Sequence, residues 1–176
     1  MLAQLGIERA ALVGISLAGW LALDYATRRP QRVSARALIC PGGVGATKNL
    51  LWVIPLMLLG PFGRRLAMKR LGAGATTATA SPAAKAFGAF MAQIQANFRP
   101  RRERLPRFSD AALEGLAVPV LAILGGPYAI LDMYEARTRL AAHVRRPDIR
   151  WLPQAGHFLV GFGGEIEAFL ARALTP

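Results

Sequence analysis

The sequence predicts an α/β fold of about four parallel strands with flanking helices, with a helical insertion between the second and third strands. Short apolar runs that stop at glycine or proline alternate with segments of helical spacing. The first strand, helix and strand fit within about thirty residues, the size of a βαβ unit. The composition is 53% hydrophobic and 18% charged, which excludes a disordered chain and fits a sheet covered by helices. The length of 176 residues is ordinary for one domain and enough to bury a sizeable core.

Met1 to Gly6 reads as the last turn of a helix that ends at glycine. Ala10 to Gly14 is apolar on both faces, as suits a buried parallel strand. Leu17 to Arg29 has helical spacing through Trp20, Leu21, Leu23 and Tyr25, and Pro30 stops it. Val33 to Cys40 is the second strand, closed by Pro41-Gly42-Gly43. The character then changes. Residues 46–114 hold apolar helical segments, a low-complexity bridge from Gly72 to Ala84, a helix-like run from Lys85 to Phe98 and an arginine-rich turn. Alternation resumes with a strand over Val118–Leu124, a helix over Asp132–Val144, a strand over Ile149–Leu152 and a final helix over Glu165–Leu174. Three parts follow: 1–45, the insertion 46–114, and 115–176.

The formal charge is +12, from 22 Lys+Arg against 10 Asp+Glu. The arginines are spread along the chain, and the densest run, Arg99 to Arg104, carries no aromatic stacking residue and no nucleic-acid-binding motif. No specific nucleic-acid role is expected, and a coding bias toward Ala and Arg explains the excess. A single cysteine, Cys40, rules out an intrachain disulfide, and the N-terminus has no signal-peptide pattern. A cytoplasmic location is the expectation. The most apolar segment, Leu50 to Phe62, is too short to span a bilayer and is broken by Pro55, Gly60 and Pro61. At most it makes weak contact with a membrane surface. No Cys/His cluster has metal-ligand spacing and no phosphate-binding glycine loop is present, so neither a metal nor a cofactor is expected.

The chemistry-bearing signal is Val13-Gly14-Ile15-Ser16-Leu17-Ala18-Gly19-Trp20, between a strand and a helix. Small residues flanking a serine there allow a tight turn that exposes its Oγ above the sheet, over the positive end of a helix. A serine that merely caps the helix is the alternative reading. Near the C-terminus, Trp151 to Phe158 places Gly156-His157 in a loop between a strand and a helix. His143, inside a helix and followed by basic residues, reads as a surface histidine.

This constellation resembles the α/β-hydrolase family of serine esterases and lipases over essentially the whole chain. The chain looks like that family's C-terminal part, from nucleophile to histidine. The resemblance implies Ser16 as nucleophile, His157 as base, the Leu17 amide as an oxyanion donor, and the insertion as a cap. The acid is less regular. Tyr128 stands where the family's aspartate is expected, and Asp132, one helical turn later, is either a substitute acid or the cap of the next helix. Ala18 replaces the third glycine of the motif, with Gly19 immediately after it.

The family's first strands and the loop that supplies a second oxyanion donor have no counterpart before Ser16. The strand at Ala10 to Gly14 would then be an edge, which invites self-association. Trp52, Met57 and Phe62, at roughly helical spacing, are either core of the cap or the lining of an apolar pocket. The implied reaction is hydrolysis of an ester or related acyl bond of a hydrophobic small molecule. A catalytically impaired or truncated relative that serves as a binding protein is the alternative.

Overall fold

The computed structural model describes residues 3–49, 51–70, 86, 89, 90, 93, 94, 97, 105–126, 128–157, 159 and 161–175. They form two compact units: Met1–Lys48 with Pro106–Pro176, and Asn49–Leu105.

The first unit is built on β1 (Ala10–Ile15), α1 (Leu17–Arg28), β2 (Val33–Ile39), α4 (Asp110–Glu114), β3 (Val120–Gly125), α5 (Met133–His143), β4 (Asp148–Leu152) and α6 (Gly163–Leu174). The four strands lie in the order β1-β2-β3-β4 and all pair in parallel. In register, Val13 pairs with Ala37, Leu38 with Ala122, and Leu124 with Trp151. Parallel neighbours need crossovers, and α1 and α5 supply two of them. Every residue of β3 is buried, and so is all of β2 except Ser34. That is why both strands read as continuous apolar runs rather than alternating ones.

The three longer helices, α1, α5 and α6, each present one apolar stripe to this sheet. Gly19, Ala22, Leu23 and Ala26 are the buried residues of α1, spaced i, i+3, i+4, i+7. Met133, Ala136 and Leu140 do the same on α5. On α6, Phe169 is buried while Ile166, Leu170 and Ala173 pack against the core. Ser109 caps α4 by accepting a bond from the Ala112 amide at 3.1 Å. The turn before Gly6, expected to be α-helical, is a 3-10 turn over Ala3–Leu5, and Gly6 leaves it at φ +68°.

Two features stand out in this unit. β1 is a sheet edge, and Val13 and Ile15 on it are 51% and 47% exposed. Arg36, in the middle of β2, is 1% exposed, and its Nε and Nη1 have no hydrogen-bond partner among the described residues. Burial pushes this guanidinium down to about 10 from its ordinary 12.5.

The second unit contains α2 (Val53–Leu58) and α3 (Gly60–Arg70). The two pack closely where a Cβ on Gly63 would stand 1.7 Å from the Leu56 carbonyl oxygen. Trp52 is half-buried and Phe62 is exposed, while the Met57 side chain lies outside what is described. The expected bridge from Gly72 to Ala84 also lies outside the described residues, as does most of the run from 85 to 104. Among the described residues, no helix is long and apolar enough to cross a membrane.

Candidate active site

Ser16 occupies the single residue between β1 and α1, with φ 54° and ψ −110°. An L-residue avoids this conformation, which costs on the order of 1–3 kcal/mol and persists only where the surroundings over-determine it. Three backbone bonds do so. The Ser16 amide donates to Ile39 O at 2.9 Å, and the Ser16 carbonyl accepts from the amides of Trp20 at 3.1 Å and Gly42 at 3.0 Å.

A capping serine has extended backbone and spends its hydroxyl on the amides of the first turn. Ser16 does neither: its backbone lies elsewhere, and its side chain makes no capping bond. The first amides of α1 have no intrahelical acceptor, and Leu17 carries the first of them.

The small residues around Ser16 have distinct packing roles. A Cβ on Gly14 would stand 2.5 Å from the Ala18 carbonyl and 2.6 Å from the Gly19 nitrogen, so only glycine lets strand and helix cross there. A Cβ on Gly19 would meet Pro41 Cβ at 2.9 Å. Ala18 is exposed, which explains why a methyl is tolerated at the motif's third small position. Because the strain belongs to Ser16 itself, Ser16→Gly should raise thermal stability by about 1–3 kcal/mol, whereas Ser16→Ala should leave it nearly unchanged. Thermal melts of the two variants beside the parent check this.

His157 comes from the other side of the sheet. It follows β4, at the opposite edge of the sheet from β1, across three strand spacings or roughly 14 Å. The loop after β4 folds back over the end of β3, its neighbour in the sheet. Gly125 lacks the Cβ that would stand 2.2 Å from Gly156 O and 2.7 Å from Ala155 O, and Gly126 lacks one that would stand 2.5 Å from Pro153 O. His157 arrives 4% exposed, and desolvation pushes its imidazole down to about 4. It is therefore neutral, the form a general base requires, throughout the physiological range.

Tyr128, in the loop after β3, stacks on that imidazole with ring centroids 3.8 Å apart and planes inclined by 7°. Burial, with a lesser contribution from nearby Cys40, pushes the phenol up to about 12. Cys40 follows β2 directly at φ 42°, and its Sγ accepts a bond from the Gly125 amide at 3.4 Å. Burial likewise raises the Cys40 thiol above its ordinary range.

Asp132 is the N-cap of α5, where its carboxylate accepts from the Glu135 amide at 3.0 Å. His143, near the end of the same helix, has its Nδ1 2.8 Å from Glu114 Oε1 on the surface. Among the described residues, no group of His, Cys, Asp and Glu is arranged to hold a metal ion. Sequence reasoning located Tyr128 but not its stack, and it missed Gly125. The Gly125-Gly126 doublet at the end of an apolar strand was the available signal.

A family model described as the alpha/beta hydrolase family matches residues 1–168. A 2-hydroxy-6-oxo-6-phenylhexa-2,4-dienoate hydrolase of Comamonas testosteroni is 51% identical over 43 residues, 24% of this chain and 15% of that protein. The uncharacterized carboxylesterase nap of Bacillus subtilis (strain 168) is 26% identical over 178 residues, covering 89% of this chain and 53% of that one. Among solved structures, the naproxen esterase (carboxylesterase NP) of Bacillus subtilis aligns with a TM-score of 0.70 at 24% identity, covering 99% of this chain and 62% of its own. The chain thus spans about half to three-fifths of the length of these two esterases. With four parallel strands, flanking helices and a match from residue 1 to residue 168, the chain belongs to the alpha/beta hydrolase family.

Proposed function

We propose that this chain carries the nucleophile and base of a serine hydrolase acting on an ester or related acyl bond of a hydrophobic small molecule. One observation carries the reading: Ser16 is held at φ 54°, ψ −110° with its side chain making no capping bond, strain that a capping serine has no reason to bear.

In this reading the Ser16 Oγ attacks the acyl carbon as its proton passes to His157. The carbonyl electron pair moves onto the oxygen, where the Leu17 amide at the positive end of α1 donates to it. Collapse expels the alcohol, which takes its proton from His157, and leaves an acyl-Ser16. Water then repeats the sequence with His157 again as base. Asp132 is proposed as the third member, and its carboxylate also serves as the cap of α5.

Hydrolysis of p-nitrophenyl butyrate tests the reading. The parent should release nitrophenolate, and Ser16→Ala should lose at least about 10³-fold of that rate. The pH dependence has a defined sign. A depressed imidazole pKa keeps the base unprotonated to lower pH, so the rate should hold from pH 8 to about 5 and fall only as the pH approaches 4. A fall centred near 6.5 would show an imidazole that is not desolvated.

The position of Tyr128, where the resemblance places an aspartate, favours a second reading: a hydrolase-fold binding protein. Saturable binding of the ester with no Ser16-dependent turnover would select it.

A further inference from the structure

We infer that Tyr128 is a positioning residue, a flat clamp that fixes the ring plane of His157 and offers its π face to the imidazolium formed when Ser16 gives up its proton. The inference rests on the reading of Ser16 and His157 above.

Geometry sets what Tyr128 does. Two rings 3.8 Å apart and 7° from parallel lie face to face. From there the phenol cannot enter the plane of the imidazole, where both ring nitrogens make their hydrogen bonds. Tyr128 therefore does not imitate a carboxylate. What a stacked ring controls is orientation: turning the imidazole about its side-chain bonds would drive its edge into the phenol.

A clamp has to be rigid, and this one is tied at several points. Lys48 Nζ donates to Tyr128 O at 3.1 Å, and the Lys48 amide donates to Ile130 O at 2.7 Å. Thr47 and Leu131 form an antiparallel bridge, and the Asp132 amide donates to Ala46 O at 2.8 Å. The Ala46 amide in turn donates to Glu135 Oε2 at 2.6 Å. The loop that carries Tyr128 is thus stitched to the segment after β2 before α5 begins. Asp132 belongs to this scaffold through its cap on Glu135.

The clamp also bears on charge. His157 is 4% exposed, so its protonated form has little water to stabilise it. A phenol face within contact distance attracts a cation through its quadrupole. This interaction is stronger with the imidazolium of the transition state than with the neutral base, the differential that accelerates a reaction.

The test compares the parent with Tyr128→Phe and Tyr128→Leu, each confirmed folded by its thermal melt. The first readout is the His157 imidazole C–H resonance, assigned with a His143→Asn variant, which a stacked ring shifts upfield. The second is the rate at which a fluorophosphonate labels Ser16. Tyr128→Phe should keep the upfield shift and label within a few-fold of the parent. Tyr128→Leu should lose the shift and label at least tenfold more slowly. A resonance that stays upfield in Tyr128→Leu overturns the clamp, and so does an equal loss of rate in both variants. If the parent is never labelled while the resonances follow the expected pattern, the Ser16 reading has failed and takes the catalytic role of Tyr128 with it.

Discussion

Replacing Gly125 with alanine should cost about 1–3 kcal/mol of stability and slow any Ser16-dependent reaction by roughly 10²-fold. The added methyl would meet Gly156 O at 2.2 Å, Ala155 O at 2.7 Å and Gly156 C at 3.0 Å. All three are backbone atoms, so no side chain can rotate away. Either β3 yields, breaking its register with β4 at the Gly125–Leu152 pair, or the loop lifts and takes His157 with it. An ångström of misplacement at a general base is enough for a loss of this size. Gly156→Ala is the control, because none of the described residues lies within 4 Å of the position its Cβ would occupy. It should retain both stability and rate. Melts and ester hydrolysis of the two variants side by side check the claim. Equal behaviour would show that the histidine loop is not seated on Gly125.

Arg36→Met should raise stability by about 1–4 kcal/mol, or several degrees in melting temperature for a chain of this size. A guanidinium at 1% exposure with two nitrogens lacking partners among the described residues gives up hydration without recovering it there in hydrogen bonds. Methionine keeps the length and removes the charge. The sign with pH follows from the direction of the shift. A base whose folded pKa is depressed, here to about 10, penalises the folded state at every lower pH, and the penalty lifts only between about 10 and 12.5. The gain should therefore be constant from pH 6 to 9 by chemical denaturation. Labelling of Ser16 should not change. A loss of stability in Arg36→Met would mean that the guanidinium is paired in the folded protein.

Most of the fold was legible because the strands announce themselves. β2 and β3 are buried on both faces, so Val33 to Ile39 and Val120 to Gly125 are apolar nearly without interruption. The i, i+3, i+4, i+7 stripe of α1 is equally plain. Arg36 is the exception. Its neighbours placed it correctly in a strand, but a lone charge within an apolar run gives no warning that it will be sealed in.

At the site, local chemistry was readable and tertiary geometry was not. Glycine, serine and a following helix marked the turn at Ser16, yet only φ and ψ separate that turn from an ordinary cap. Asp132 is two things at once in the sequence, a carboxylate near the expected acid and a helix cap, and the structure supplies the second through Glu135. The Tyr128 stack depends on a loop from β4 crossing back over β3, a contact between residues 29 positions apart that no local pattern encodes.

The central claim is that Ser16 is a nucleophile, and mass spectrometry after treatment with a fluorophosphonate tests it most directly. The account predicts one adduct per chain, on the peptide that contains Ser16, absent from Ser16→Ala and retained in Arg36→Met. Folded protein that takes up no label, or that carries it on another residue, would contradict the account.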